Sequence, residues 1–157
     1  MTLSTRARQF QETLRALRPE LTVEELPSST RTAADAAKTL GCTQSQIVKS
    51  LVFRDTERGS AVLLLVSGTN RVDERVVGQV LGGAIKKADA DFVKETTGYA
   101  IGGVPPIGHK QPITTLVDAD LLRYDQTWAA AGTPHAVFRI TGKITDILGE
   151  HRVVRVR

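Results

Sequence analysis

The sequence contains very little cysteine. Cys42 is the only cysteine among 157 residues, so the chain cannot form an internal disulfide. This agrees with a reducing compartment. Two interpretations of Cys42 are open, a small core residue or a reactive thiol. No histidine lies near it in the sequence to activate a thiolate, which favours the core interpretation.

Long apolar runs are also missing. The longest, AVLLLV at 61–66, has the length of a strand, whereas a transmembrane helix needs roughly 18 apolar residues. The amino-terminal MTLSTRARQFQETLRALRP carries arginines without a continuous apolar stretch, which is not typical of a secretory signal. We therefore expect a cytoplasmic protein with no membrane partner.

Histidine is scarce, and His109, His135 and His151 are widely spaced. They lack the neighbouring cysteines or clustered acidic residues of zinc and iron sites. The glycines match neither the P-loop nor the dinucleotide-binding pattern. We expect no metal and no cofactor.

The charge that is present is mildly basic. Lysine plus arginine number 21 against 17 for aspartate plus glutamate, which gives a net charge of +4. This excess permits an anionic partner such as a nucleic acid, but charges that only maintain solubility would give the same composition. The hydrophobic fraction of 41% and the length are typical of one globular domain with one core.

Hydrophobic periodicity predicts short helices interleaved with strands. Helices are predicted at 3–17, 32–41, 70–83 and 89–98, and strands at 21–26, 47–54, 61–68, 84–88, 113–118, 127–132, 136–141 and 152–157. The strands within 47–68 form a predicted hairpin, and Asn70 is assigned as the cap of the third helix. The chain has neither repeat nor linker. We predict a single compact α/β (α+β) domain, 1–157, around a mixed, curved sheet.

One lysine lies among apolar neighbours in the strand IVKSLVFR. Lys49 shares a strand face with Ile47, Leu51 and Phe53. An ammonium buried without partners costs several kcal/mol, so Lys49 must reach water, meet a carboxylate, or line a cavity that receives an anion or a carbonyl. An edge-strand lysine that discourages aggregation is the alternative. Apolar residues on both faces of the strand argue against an edge.

The stretch GYAIGGVPPIGHK at 98–110 holds four glycines and two adjacent prolines. Gly102 and Gly103 allow positive φ and a close approach of a ligand to main-chain amides. Pro105 and Pro106 fix φ, so the loop keeps one shape. Rigid amides of this kind suit a carbonyl oxygen or an oxyanion, although a structural crossover loop would explain the same composition.

Three segments of the chain follow the order and spacing of one protein family. They are AADAAKTLGCTQSQIVKSLVF, VSGTNRVDERVV and TGYAIGGVPPIGH. This is the YbaK family, which the chain resembles from about Ser28 to about Ile140. The family includes the editing insertion of bacterial prolyl-tRNA synthetases and free-standing ProX-type proteins. The resemblance implies a compact fold whose barrel-like, curved mixed sheet surrounds a pocket. It also implies an aminoacyl-tRNA deacylase, which hydrolyses the ester joining a wrong amino acid, commonly alanine or cysteine, to the proline tRNA.

The resemblance further implies roles for individual residues. Lys49 matches the lysine of the family's K-[ST]-L strand and would anchor the aminoacyl-adenosine end through a carbonyl or phosphate oxygen. Gly102 to Pro106 match the G-x-x-x-P loop. The amides near Gly102 and Gly103 would position the ester carbonyl, with Pro106 in the substrate-binding part of the loop. No side-chain nucleophile is needed, because the ester is already activated and the adjacent ribose hydroxyl helps to orient water.

The chain departs from the family at AAAGTPHAVF, residues 129–138. Many members carry a serine there, where Ala130 and Ala131 supply no hydroxyl. Thr133 and His135 offer other polar groups, and both are candidates for substrate binding. His135 is alternatively a surface turn residue.

Ser67 and Asn70 complete the candidate substrate-binding residues, because both follow a strand end. Asn70 is equally a helix cap. We expect a free-standing trans-editing enzyme that binds the acceptor end of a mischarged tRNA, not DNA, and leave a synthetase partner open. The alternatives are a non-catalytic module that binds tRNA, a nucleotide-like ligand or a synthetase, and a hydrolase of small aminoacyl esters.

Overall fold

The structure, a computed structural model, describes residues 3–27, 30 and 32–157, so Ser28 at the start of the predicted resemblance lies outside the described residues. In these residues the α-helices are α1 Thr5–Leu17, α2 Ala33–Leu40, α3 Glu74–Leu81 and α4 Ala90–Thr97. The strands are β1 Val23–Glu25, β2 Val48–Asp55, β3 Ala61–Ser67, β4 Ile85–Lys87, β5 Thr114–Asp118, β6 Gln126–Ala130, β7 Ala136–Thr141 and β8 Arg152–Val154. Short 3₁₀ turns cover Gln44–Gln46, Ala119–Arg123 and Ile144–Ile147. None of the described helices is long and apolar enough to cross a membrane.

The strands form two sheets. The larger has the order β4-β2-β3-β5-β8 and the smaller the order β1-β7-β6. β2 is antiparallel to β3 and β4, whereas β5 is parallel to β3 and β8, so the larger sheet is mixed. A single bridge between Ile47 and Trp128 joins the two sheets. The predicted α/β class and mixed sheet are confirmed, with the strands divided between two sheets.

β3 is the centre of the larger sheet and is buried on both faces. Leu63 and Leu65 pack into the core shared with α1 and the smaller sheet, while Val62, Leu64 and Val66 pack into a second core beneath α3. All five are at most 3% exposed. A strand covered on both faces needs a continuous apolar run, which explains the sequence AVLLLV.

The predicted cap of α3 is wrong. Asp73 is the N-cap, and its carboxylate accepts hydrogen bonds from the N–H groups of Arg75 at 3.0 Å and Val76 at 3.3 Å. Asn70 is 6% exposed and forms tertiary hydrogen bonds instead. Both residue types favour N-caps, so local sequence did not separate them.

Helix α1 supports the glycine- and proline-rich loop from behind. Phe10, 1% exposed, lies edge-on to Tyr99 of that loop with ring centroids 5.9 Å apart. Its ring centroid is 5.8 Å from that of Phe138 on β7. The loop is therefore packed against the core through an aromatic cluster.

Candidate active site

A cavity of about 450 Å³ lies where the two sheets separate. β6 meets the larger sheet at the Ile47–Trp128 bridge, and β4 pairs with β2 only from Phe53 onward. Between these two points one edge of β2 borders the cavity. Its other walls include Ala33 and Ala36 of α2, Gly102 at the tip of the glycine- and proline-rich loop, and residues of β6 and β7.

The exposed part of the β2 edge presents main-chain groups to this cavity. The Ala88 N–H donates to the Val52 carbonyl oxygen at 3.2 Å, so the main-chain groups of Val52 point toward β4. Because main-chain groups change sides at each residue of a strand, those of Ser50 point the same way, to the edge that borders the cavity. The cavity therefore has a polar main-chain wall next to apolar side chains.

Lys49 lines the same cavity and is half-buried. Its Nζ donates a hydrogen bond to the Asn70 carbonyl oxygen. An ammonium has three N–H donors, so two remain for an anion or a carbonyl. In the described part of the chain, no carboxylate forms an ion pair with Lys49.

Burial is the main cause that lowers the pKa of Lys49 from its ordinary value. The positive charge of Arg71 lowers the pKa further, and the negative charge of Asp118 opposes both effects. A half-buried ammonium without an ion pair is only partly compensated, and a phosphate or a polarised carbonyl would supply further compensation.

The two loop glycines have different tasks. Gly102 lines the cavity with φ of +88°, and no protein acceptor for its N–H is found among the described residues. The Gly103 N–H already donates to the Ala100 oxygen at 3.0 Å. A Cβ at Gly103 would lie 2.8 Å from the Thr133 Cα, so glycine is needed there for a close approach of two chain segments. Of the two glycines, Gly102 has the amide that can meet a ligand.

Pro106 lies on the other side of the loop. It lines a second cavity of about 310 Å³ together with His109 and Arg18, and it does not line the cavity of Lys49. His109 Nε2 hydrogen-bonds the Pro105 oxygen at 2.6 Å, and burial lowers the pKa of His109. The structure therefore gives Pro106 a place in shaping the loop and does not bring it to the cavity wall.

Ser67 and Asn70 stand behind Lys49 and outside the cavity wall. The Ser67 hydroxyl donates to the Ser45 oxygen at 2.7 Å, and its N–H donates to Asp118 Oδ2 at 3.0 Å. Asn70 contributes its main-chain oxygen to Lys49. These two residues support the site from outside the cavity.

Thr133 and His135 flank Pro134, which lines the cavity. Thr133 Oγ1 accepts from the N–H groups of His135 at 3.3 Å and Ala136 at 3.1 Å, so it closes the turn before β7. The His135 main-chain oxygen accepts from the Leu26 N–H at 2.7 Å and ties β1 to this turn. The structure places both residues in the turn and not on the cavity wall.

Sequence reasoning missed two residues near Lys49. Trp128, 6% exposed, lines the cavity and forms the bridge between the sheets. Asp118, 2% exposed, ends β5 beside Asn70. A carboxylate directly after the apolar residues of TTLVD was the available signal, since buried aspartates are rare without partners.

Residues 27–147 match the family model of the aminoacyl-tRNA editing domain. The chain is 32% identical to YwhH of Bacillus subtilis (strain 168) over 121 residues, which are 77% of this chain and 76% of YwhH. EbsC of Enterococcus faecalis (strain ATCC 700802 / V583), named as a candidate Cys-tRNA(Pro)/Cys-tRNA(Cys) deacylase, is 28% identical over 127 residues, 73% of this chain and 76% of EbsC.

A solved structure, described as a candidate trans-editing enzyme for prolyl tRNA synthetase, is similar over nearly the whole chain. It matches with a TM-score of 0.88 and 45% sequence identity, and the match covers 98% of this chain and 99% of that one.

Proposed function

Because the chain belongs to the aminoacyl-tRNA editing domain family, we propose that it is a trans-acting deacylase that removes a small amino acid from the acceptor end of a mischarged tRNA. The observation that carries this proposal is the position of Lys49 and Gly102 on one cavity between the two sheets. One residue brings a cation and the other a main-chain donor, and both are suited to an aminoacyl ester next to a phosphate.

In the proposed mechanism, the two remaining N–H groups of Lys49 bind a phosphate or carbonyl oxygen of the terminal aminoacyl-adenosine. The Gly102 N–H donates to the ester carbonyl and stabilises the negative charge that develops on its oxygen. Water attacks the carbonyl carbon, the bond between that carbon and the ribose oxygen breaks, and a proton of the water passes to the ribose oxygen. Positioning supplies most of the rate, since the ester is already activated.

Small side chains on part of the cavity wall support a small amino acid as the substrate. Ala36, Ala130 and Val137 contribute short apolar side chains to it. Ala130 offers no hydroxyl to a substrate, and selection by size in such a pocket is worth about 1–3 kcal/mol for one methylene. We propose alanine or cysteine as the amino acid removed; the name of EbsC, a candidate Cys-tRNA deacylase, supports this class.

The test is a deacylation panel of alanyl-, cysteinyl-, seryl- and prolyl-tRNA(Pro) with the intact protein. We expect hydrolysis of at least one of the small esters and survival of the prolyl ester. Lys49→Ala should lower kcat/KM by about 100-fold or more, as loss of a donor to developing charge does. Lys143→Ala, which removes a lysine paired with Asp125 on the surface, is the matched control and should keep full activity.

A non-catalytic binding module is the second candidate. It is favoured by the Gly103 amide, which is already bound within the loop, and by Ala130 in place of a hydroxyl-bearing residue. If the folded protein binds tRNA but leaves all four esters intact, this second function replaces the first.

The proposed macromolecular partner is the acceptor end of tRNA. The structural relative described as acting for prolyl tRNA synthetase supports a functional link to that enzyme. Adding prolyl-tRNA synthetase to the deacylation assay tests this link. If the two proteins associate, the mischarged tRNA should be hydrolysed faster than by this protein alone.

A further inference from the structure

Asp118 is a buried carboxylate without a cation in contact. It is 2% exposed, and no ion pair to it is found among the described residues. Its Oδ2 accepts from the Ser67 N–H at 3.0 Å and from Asn70 Nδ2 at 2.8 Å, and its Oδ1 accepts from the Asp120 N–H at 2.9 Å. These three hydrogen bonds fix the orientation of the carboxylate between β3, Asn70 and the 3₁₀ turn at 119–123.

Asn70 connects this carboxylate to Lys49. The Asn70 Nδ2 bridges Asp118 and Asp120, at 2.8 Å to each, which fixes the asparagine in one orientation. The main-chain oxygen of the same asparagine accepts from Lys49 Nζ. The chain of contacts therefore runs from Asp118 through Asn70 to the ammonium on the cavity.

Charged groups reach Lys49 from several elements. Arg71 follows Asn70 in the chain, Lys87 on β4 lines the same cavity, and Asp118 ends β5. Asp120 bonds the Asn70 amide from the 3₁₀ turn, but its charge is shared with Arg123 at 3.6 Å and Arg157 at 3.8 Å. Of the two carboxylates, Asp118 is the one that no cation contacts.

We propose that Asp118, acting through Asn70, is a positioning residue that holds the Lys49 ammonium in place and keeps it charged for the substrate. This role rests on the proposed deacylase function. The positive charge of Arg71 and partial burial both oppose the charged state of Lys49. The negative charge of Asp118, behind the asparagine, offsets both effects without occupying the two remaining N–H groups of Lys49.

The test measures Lys49 directly and needs no tRNA. In protein with isotopically labelled lysine, NMR follows the titration of the Lys49 ammonium, which Lys49→Arg assigns. Asp118→Asn should move the Lys49 midpoint down by about one pH unit, the effect of losing one nearby opposite charge. In deacylation assays, the alkaline decline of kcat/KM should move down by the same amount.

Asp55→Asn is the matched control. Asp55 is 5% exposed and accepts from the N–H groups of Glu57 at 2.9 Å and Arg58 at 3.0 Å, so it is also a buried, main-chain-bonded aspartate. It lies six strand residues from Lys49, roughly 20 Å away. Its replacement should leave the Lys49 titration unchanged.

An unchanged Lys49 midpoint in folded Asp118→Asn overturns the proposal, whatever the activity. A shifted midpoint in a protein that cleaves no ester supports the positioning role and rejects the deacylase function instead. If Asp118→Asn does not fold, Asn70→Ser replaces it, since the main-chain oxygen remains and only the amide link is lost. In that variant the Lys49 ammonium protons should exchange faster with water, and exchange at the wild-type rate overturns the proposal.

Discussion

At the scale of single residues, the site depends on a lysine that is charged but not paired. Burial and Arg71 both lower the pKa of Lys49, so the ammonium loses its proton at a lower pH than an exposed lysine. In the proposed mechanism, the charged form is the one that binds a phosphate or carbonyl oxygen. Activity that requires it is therefore present below the lowered pKa and disappears as the pH rises through it.

The pH dependence of deacylation should follow from this shift. We expect kcat/KM to decline on the alkaline side, beginning below the ordinary pKa of lysine. Lys49→Arg should retain part of the activity and lose this decline, because arginine stays protonated throughout the range. Initial rates across pH, corrected for spontaneous ester hydrolysis, check the prediction. The same alkaline decline in Lys49→Arg would assign it to another group.

The glycines of the loop allow a second residue-scale prediction. Gly103→Ala should destabilise the protein by about 1–3 kcal/mol, since its Cβ would meet Thr133 backbone atoms at 2.8–2.9 Å. Gly149→Ala is the matched control: no atom lies within 4 Å of its Cβ position and φ is not positive, so stability should change by about 0.5 kcal/mol or less. Urea unfolding measures both. Equal stability of the two variants would contradict the close approach of the loop to Thr133.

At the scale of elements, α1 and the loop behave as one packed unit. Phe10 contacts both loop and sheet, and added Cβ atoms at Gly108 and Gly132 would approach it within 3.3 Å and 3.1 Å. The shape of the glycine- and proline-rich loop therefore depends on a helix that contributes no group to the cavity.

Phe10→Ala should lower the free energy of unfolding by about 3–5 kcal/mol. It should also make the loop at 98–110 more mobile than the rest of the protein. Hydrogen exchange at 98–110 should accelerate more than exchange in β3, and KM should rise. Leu116→Ala serves as the control, because Leu116 lies in the core beneath α3, on the far face of the larger sheet. This substitution should lower the free energy of unfolding by about 2–5 kcal/mol. If both variants accelerate hydrogen exchange in the loop equally, packing against α1 does not specifically stabilise the loop.

Helices and strands were predictable from the sequence where the local hydrophobic pattern matches the burial of the residues in the structure. The continuous apolar run of β3 and the cap and glycine stop at Thr32 and Gly41 all appear in the structure. The sequence did not predict on which side of the loop Pro106 lies. It also did not predict the tertiary hydrogen bonds of Asn70. Both depend on chain segments that are distant in sequence and meet only after folding.

At the scale of the whole molecule, three cations lie on or close to the cavity: Lys49 and Lys87 line it, and Arg71 acts electrostatically on Lys49. Arg71 and Lys87 are exposed, and neither forms an ion pair within the described residues. They and Lys49 contribute to a net charge of +4 on the chain. This arrangement suits a polyanion whose reactive end enters the cavity.

Deacylation of full-length tRNA should therefore weaken as salt rises, with log kcat/KM falling linearly against log salt concentration. Arg71→Ala and Lys87→Ala should each make the slope of log kcat/KM against log salt less steep by about one, as loss of one phosphate contact does. Arg15→Ala, which removes an arginine already paired with Glu12 on α1, should leave the slope unchanged. An aminoacyl-adenosine substrate provides the second control, because it has no tRNA body to bind and its hydrolysis should depend little on salt. Equal salt dependence for the two substrates would mean that these cations do not dock the tRNA, and would favour a hydrolase of small esters over an editing enzyme.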